Sequence, residues 1–385
     1  FLKKIFMKNI YYWCPFVGNI ATIKAVINSA HSLVKYSDKK FSPLIINSCG
    51  EWDDYKESFE KKKIRSKKFE NFFLIDTNTS GYLKSRITYI KIFLSCFFSL
   101  KKILKMDKPE YLIAHLVTSL PIFLFIIFRF QTKLIIRISG KVKMNFFRKF
   151  LWKLCKKKIE FITCPTEETY QNFIRLNILD ANKIIYLPDP IINISEILNK
   201  KKDKLINFDK NKDFFVTVGR YTKQKNHLLA IKCFAKILKI NPAIILYIIG
   251  DGELKKRYMQ EISNLNLNNN IKLISYQQNI PKYLDKSLAL ISTSLWEDPG
   301  FVMIEAAACN TFIISSNCSS GPKEFVGNNN GILFENNNIE SLEKNILKFL
   351  KMDSHEVMKK KIGAKKNSIN FTKFRHFKIL SNYLI

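Results

Sequence analysis

The sequence predicts an α/β protein made of two doubly wound, Rossmann-like parallel sheets. Short apolar runs ending in small or polar residues alternate with longer amphipathic stretches along most of the chain. That alternation stops around Leu187-Pro-Asp-Pro190 and a polar, lysine-rich stretch at 199–213, then starts afresh at Phe214. With 385 residues, 47% of them hydrophobic, the chain can bury two separate cores. The expected division is a first domain over 1–195, a second over 196–366, and a terminal helix over 367–385 that returns to the first.

In the first half, Ile10–Cys14 reads as a strand, followed by a Pro15–Gly18 turn and a helical run through Ala25 and His31. Pro43–Asn47 is the next strand and residues 84–104 an amphipathic helix. Strands follow at 111–114, Leu134–Ile138 and Ile159–Cys164. The stretch Tyr111–Phe128 lacks Lys, Arg, Asp and Glu, but it contains Pro121 and is followed at once by another strand. It is expected to be a buried strand and a buried helix over about 119–130, not a membrane span. The second series runs Phe214–Val218, Ile244–Ile249, Ile271–Ile274, Leu288–Ser292 and Thr311–Ser315, with asparagine-rich loops at 268–270, 328–330 and 336–338. Residues 1–6 are too short for the apolar core of a signal peptide and read as an upstream extension or a mis-set start before Met7.

The formal net charge is +32, from 64 Lys+Arg against 32 Asp+Glu. Fifty-five of the basic residues are Lys and only nine are Arg, alongside 34 Asn. Lys, Asn, Ile and Phe share A/T-rich codons, so much of the excess is compositional. A phosphate-gripping surface favours clustered Arg forks, so nucleic acid is not an expected partner. Eight cysteines without a CxxC pair, in a chain long enough to do without staples, predict reduced thiols in a cytoplasm. Five histidines form no ligand pattern with them, and no Asp-x-Asp pair follows a strand; no metal or cofactor is expected.

In open parallel sheets, ligands bind beyond the carboxyl ends of the strands, and the unusual residues cluster there. After Phe214–Val218 comes Gly219-Arg220-Tyr-Thr-Lys-Gln-Lys225-Asn226, with a helix beginning near His227. After Ile244–Ile249 comes Gly250-Asp-Gly-Glu253. After Leu288–Ser292 comes Thr-Ser-Leu-Trp-Glu297-Asp-Pro-Gly300-Phe301-Val302-Met-Ile-Glu305. Arg220 and Lys225, near a helix start, suit a diphosphate. Gly300 lets the backbone turn into a helix whose first amides can hold phosphate oxygens. A carboxylate such as Glu297 or Glu305 can accept two hydrogen bonds from a ribose diol.

Val216–Ala306 resembles the retaining glycosyltransferases of family 4, which have the GT-B fold of two Rossmann-like domains facing across a cleft. The residues that carry the likeness are Val-Gly-Arg220…Lys225-Asn226, Gly250-Asp-Gly-Glu253, and Glu297 and Glu305 in a Glu-x7-Glu pattern followed by Ala306-Ala-Ala. The likeness continues through Ser320-Gly-Pro-Lys-Glu324 and the final helix, and more loosely through the first half. It implies that Arg220 and Lys225 neutralise the diphosphate of a nucleotide-sugar donor and that Glu305 holds its ribose. Glu297 would lie near the transferred sugar, with Gly219, Gly250 and the Gly300-Phe301-Val302 turn against the donor. Gly18 matches the first domain's glycine loop, although Asn19 stands where the family often has a second glycine. His115, at a strand end, matches a position that often faces the reacting sugar. Glu297-Asp-Pro-Gly replaces the usual Glu-Gly-Phe-Gly.

The first half would then hold the acceptor, a glycan or a lipid-linked one, in cell-surface polysaccharide or lipopolysaccharide synthesis. Residues 1–195 carry 34 Lys+Arg against 15 Asp+Glu. A helix within 141–158 would put Phe146, Phe147, Phe150, Leu151 and Leu154 on one stripe, with Trp152 among the basic residues. This suits peripheral docking on the anionic inner face of a membrane through Trp152 and the lysines. The same residues also admit two other readings: a sugar-nucleotide epimerase of the same fold, and a non-catalytic membrane-surface binding protein.

Overall fold

The computed structural model describes residues 7–17, 21–69, 82–138, 145–205 and 212–384. Gly18, residues 1–6 and the segment 141–144 lie outside the described residues. Phe1–Pro190 and Lys373–Ile385 make one compact unit, and Ile191–Thr372 the other.

The first unit runs β1 (Lys8–Trp13), α1 (Ala21–Tyr36), β2 (Phe41–Asn47), α2 (Lys56–Lys61), β3 (Arg65–Lys68), α3 (Tyr82–Met106), β4 (Tyr111–Ala114), α4 (Ser119–Ile127), β5 (Lys133–Arg137), α5 (Phe146–Cys155), β6 (Ile159–Cys164), α6 (Glu167–Leu176) and β7 (Ile184–Tyr186). Among the described residues its sheet has the order β3-β2-β1-β4-β5-β6-β7, and every pairing is parallel. Side chains alternate between faces, as the pleat requires. Trp13, Leu112, Leu134 and Ile136 join α3, α4, α5 and α6 in one core layer. Tyr12, Tyr111, Ile113 and Ile135 join α1 in the other. The apolar stretch 111–128 is therefore a buried strand plus a nine-residue helix. No helix among the described residues is long and apolar enough to cross a membrane.

β3 is a strand the hydrophobic pattern does not show. Its four residues, Arg-Ser-Lys-Lys, are all exposed, and it lies at the sheet edge with only β2 beside it. An edge strand needs backbone partners on one side only, and charge there discourages further pairing.

The helix expected within 141–158 is α5, but its orientation corrects the expectation for Trp152. Trp152 is buried, with its ring 5.8 Å from that of Phe173, and Cys155 is buried beside it. Phe146, Phe147, Phe150 and Leu154 point outward. The largest ring together with a small thiol fills the gap next to α6, and this fixes the helix rotation.

The second unit runs α7 (Ile194–Lys201), β8 (Phe214–Val218), α8 (His227–Ile240), β9 (Ile245–Ile249), α9 (Lys255–Asn264), β10 (Ile271–Ile274), α10 (Pro281–Lys286), β11 (Ala289–Ser292), α11 (Phe301–Ala308), β12 (Phe312–Ser316), α12 (Gly321–Val326), β13 (Ile332–Phe334), α13 (Ile339–Leu350) and α14 (Ser354–Ser368). The sheet order among the described residues is β10-β9-β8-β11-β12-β13, all parallel. Helices α8, α9 and α13 cover one face, and α7, α10, α11 and α14 the other. The chain winds outward from β8 to β10, then returns to the other side of β8 at β11. The β8/β11 junction is thus the topological switch point, where ligands bind in such sheets.

The last element, α15 (Lys373–Ser381), packs on α1 of the first unit. Buried His376 ties it there, its Nδ1 donating to the Pro188 carbonyl at 2.9 Å. Its Nε2 then accepts from the Ser29 hydroxyl, also at 2.9 Å. Ser29 in turn lies 3.0 Å from the Tyr12 hydroxyl. Burial pushes the His376 imidazole down to about 4.

Candidate functional site

Three turns of the second unit meet at the switch point. The first leaves β8 through Gly219 and Arg220 and enters α8 at His227, through Asn226 in the left-handed conformation. Buried His227 fastens this turn from beneath. Its Nε2 donates to the Gly219 carbonyl at 3.3 Å, which leaves Nδ1 to accept from the Thr217 hydroxyl at 3.1 Å. Burial holds the imidazole neutral, down at about 4, so this pattern persists at neutral pH. Above it, the Arg220 side chain is exposed.

The second turn, Gly250–Glu253, interlocks with the first. The Gly219 amide donates to the Ile249 carbonyl at 3.0 Å, and the Tyr221 amide to the Asp251 carbonyl at 2.8 Å. The Tyr221 ring is fully buried, with its hydroxyl donating to the Ile248 carbonyl at 2.8 Å. The two backbones approach so closely that a Cβ on Gly250 would lie 2.0 Å from the Gly219 oxygen. Only glycine fits there.

The third turn carries Glu297. One carboxylate oxygen, Oε1, accepts from Lys225 Nζ in an ion pair and from the Ser294 hydroxyl at 2.6 Å. Both charged side chains are largely buried, at 17% and 10% exposure for Lys225 and Glu297. Backbone links hold the first and third turns together: the Leu295 amide donates to the Gln224 carbonyl at 2.8 Å, and the Thr293 hydroxyl to the Lys225 carbonyl at 2.9 Å. Gly300, at φ +90°, then starts α11. The amides of Phe301 and Val302 open that helix and need acceptors from outside it. Glu305 sits one turn further along, partly buried. Lys225, Ser292, Glu297, Gly300 and Val302 line one small cleft.

Of the residues singled out from the sequence, Gly219, Arg220, Lys225, Gly250, Glu297 and Gly300 therefore stand on three adjoining turns of one sheet edge, and Phe301, Val302 and Glu305 lie in the helix that leaves the third. His115 belongs to the first unit, at the carboxyl end of β4, and is buried with its ring centroid 6.0 Å from that of Tyr12. Burial, with the nearby Arg137 guanidinium second, pushes its imidazole well below the usual histidine range. Gly18 lies outside the described residues.

Two features escaped the sequence reading. One is the His227 anchor, whose position next to a helix start marked it only as a boundary. The other is a buried polar group at the same strand ends as His115. Arg137 pairs with Asp189, its Nε donating to Oδ1 at 3.1 Å, and both are 5% exposed. Glu51 accepts from the Ser48 hydroxyl at 2.7 Å and the Cys49 amide at 2.6 Å, while burial raises its carboxyl. A lone arginine within the expected apolar strand Leu134–Ile138 was the available signal.

Residues 199–366 match the family described as Glycosyl transferases group 1. An uncharacterized glycosyltransferase of Methanocaldococcus jannaschii is 29% identical over 248 residues, covering 60% of this chain and 61% of that protein. The N-acetylgalactosamine-N,N'-diacetylbacillosaminyl-diphospho-undecaprenol 4-alpha-N-acetylgalactosaminyltransferase of Campylobacter jejuni is 28% identical over 206 residues, covering 53% of this chain and 54% of that protein. The matched stretches thus span little more than half of these relatives. A crystal structure of a glycosyltransferase from Rickettsia africae superposes with a TM-score of 0.75 over 98% of both chains, at 17% identity, a likeness of fold. This chain carries a Glycosyl transferases group 1 domain over residues 199–366, on a scaffold of GT-B type.

Proposed function

We propose that this chain is a retaining hexosyltransferase-type glycosyltransferase of family 4. It would move a sugar from a nucleotide-diphosphate sugar to a glycan or lipid-linked acceptor in cell-surface polysaccharide or lipopolysaccharide synthesis. The observation that carries this reading is the buried Lys225–Glu297 pair at the β8/β11 switch point, with the starts of α8 and α11 on either side. In this reading the second unit binds the donor and the first unit binds the acceptor.

The chemistry follows from the groups present. Cleaving the bond between the anomeric carbon and the diphosphate develops negative charge on the leaving oxygen. Arg220 and Lys225 meet that charge, and the Phe301 and Val302 amides hold the neighbouring oxygens. Glu305 accepts from the ribose hydroxyls. Glu297 fixes Lys225 through Oε1 and leaves Oε2 to orient the sugar. A carboxylate already accepting two hydrogen bonds is a weak nucleophile, which favours its role as a positioning group. His115, held neutral, can accept a hydrogen bond from a sugar hydroxyl. The cationic side chains take the part a metal plays in other transferases, so the reading includes no cofactor beyond the donor. It also places the enzyme in the cytoplasm, peripheral on an anionic membrane. The diphospho-undecaprenol in the name of the Campylobacter relative supports a lipid-linked acceptor.

The test is a thermal-shift screen of UDP-, GDP- and dTDP-sugars, followed by donor hydrolysis. A ligand at 100 times its Kd stabilises by about 2.7 kcal/mol. The expected result is a shift with one base and slow release of sugar and nucleotide diphosphate. The anomeric configuration of a transferred sugar, read by NMR, checks retention. No shift with any sugar nucleotide would end the proposal, and epimerised donor without transfer would replace it.

A further inference from the structure

The longest helix of the first unit leaves half of its outward face apolar. On α3, Thr88, Ile92, Cys96, Leu100, Ile103 and Leu104 turn inward and are buried. On the opposite side Ile87, Ile90, Leu94 and Phe98 are between 55% and 73% exposed. Taking about 100° per residue, these four form one stripe about 16 Å long. The same face then continues into Lys101, Lys102 and Lys105.

The apolar surface extends across the neighbouring helices. Phe97 of α3 faces Phe123 of α4 at 6.3 Å and Phe128 at 6.4 Å, and Lys101 Nζ lies 4.0 Å above the Phe128 ring. Next along the same side of the sheet comes α5, with Phe146 89% exposed and Phe147, Phe150 and Leu154 exposed as well. Arg148, Lys149 and Lys153 stand among them. No Asp or Glu occurs in α3, α4 or α5. Scattered apolar side chains are ordinary on a surface, whereas aligned stripes on helices of one layer mark an interaction site.

We propose that the outward faces of α3 and α5 are the surface by which this chain docks on an anionic lipid bilayer, with both helices lying along the interface. The proposal rests on the reading of a lipid-linked acceptor and changes how the membrane is held. Phenylalanine, leucine and isoleucine enter the headgroup–acyl boundary, the lysines meet anionic headgroups, and Trp152 takes no part. The charge selects lipid over a second copy of this chain. A two-fold contact through this face would set lysine rows against lysine rows with no carboxylate to offset them, whereas an anionic surface complements them.

The test is co-sedimentation of the full chain with phosphatidylglycerol–phosphatidylcholine vesicles and with pure phosphatidylcholine vesicles. Binding is expected only to the anionic vesicles, and added salt should weaken it. Leu94→Ser with Phe98→Ser, and separately Lys101, Lys102 and Lys105 changed to Gln, should each lower partitioning by about tenfold or more. Trp152→Phe should leave it unchanged. Melting curves and donor hydrolysis without lipid check that each variant is folded. Phe98→Trp adds a readout that needs no loss of function: its fluorescence should be quenched by brominated lipid beyond the parent's own response. Parental binding by the Leu94/Phe98 variant, equal binding to neutral vesicles, or a lipid-free dimer that this variant dissolves would each overturn the proposal. Hydrolysis without binding would sink the docking surface alone, and binding without hydrolysis the transferase reading alone.

Discussion

Gly250→Ala tests whether the close approach of two turns positions the donor groups. The added Cβ would lie 2.0 Å from the Gly219 oxygen, against ordinary contact beginning near 3.4 Å. The Cβ is fixed by its own backbone and the Gly219 oxygen is backbone, so no side-chain rotation relieves the clash, and the turns must part by about 1.4 Å. Gly219 is held by the Ile249 carbonyl on one side and by His227 on the other, so it cannot move without loosening both. Arg220 is the next residue, and Lys225 follows on the same turn. A misplacement of about 1 Å near a reacting centre can cost about a hundredfold. The expected result is kcat/KM down by about a hundredfold, together with a stability loss of about 1–3 kcal/mol from overpacking. Steady-state donor hydrolysis and a melting curve measure the two. Gly331→Ala is the control: its Cβ would meet the Ile313 oxygen at 2.4 Å, at the start of β13 and away from the three turns. It should lower stability while sparing turnover in the folded fraction. Turnover within a factor of a few of the parent in Gly250→Ala, with unchanged melting, would refute the argument.

Arg220→Ala and Lys225→Ala should each lower turnover by about a hundredfold or more, because developing phosphate charge is left unpaired; full activity in either removes it from the site. Glu305→Gln should weaken calorimetric binding of the bare nucleotide diphosphate, whereas Glu297→Gln should spare that binding and slow the sugar-dependent step; the reverse pattern exchanges their roles. Turnover should persist in excess chelator, and full loss restored only by magnesium or manganese would point to another active site. Buried His227 and His376, both at about 4 when folded, titrate near 6.5 when unfolded, so the unfolded chain binds more protons between those values. Stability should therefore fall as pH drops from about 6.5 toward 4, by on the order of 3 kcal/mol per histidine, and level off below. Melting temperature against pH checks this, and His227→Gln should flatten part of the slope.

The strand ends were legible because glycines, cations and carboxylates punctuate apolar runs, and a parallel sheet gathers such punctuation along one edge. Gly219, Gly250 and Gly300 each mark a place where backbone geometry excludes a side chain or favours glycine. The orientation of α5 was not legible, because periodicity says which residues share a stripe but not which stripe faces the sheet. There Phe146, Phe147 and Phe150 form the stronger apolar pattern, yet Trp152 and Cys155 fit the available gap. β3 was invisible for a related reason: an edge strand of Arg, Ser and Lys carries no apolar period at all. Nothing near Arg137 in the sequence marks its role, since its partner, Asp189, lies 52 residues away.

The chain passes out of the first unit after Pro190 and re-enters it at Lys373, so the second unit is an insertion within the first. Where it leaves and returns, Ile192 and Thr372 form a parallel bridge, with the Ile192 amide donating to the Phe371 carbonyl at 2.9 Å. During synthesis, which proceeds from the amino end, the second unit has all of its residues once Thr372 emerges. The first unit, begun earlier, still lacks the helix that covers α1 and brings His376 to Ser29. The half made first is thus completed last, and until Lys373–Ser381 leaves the ribosome the apolar face of α1 stands open to chaperones. A chain interrupted just before Lys373 would carry a complete second unit and a first unit left unsealed over α1.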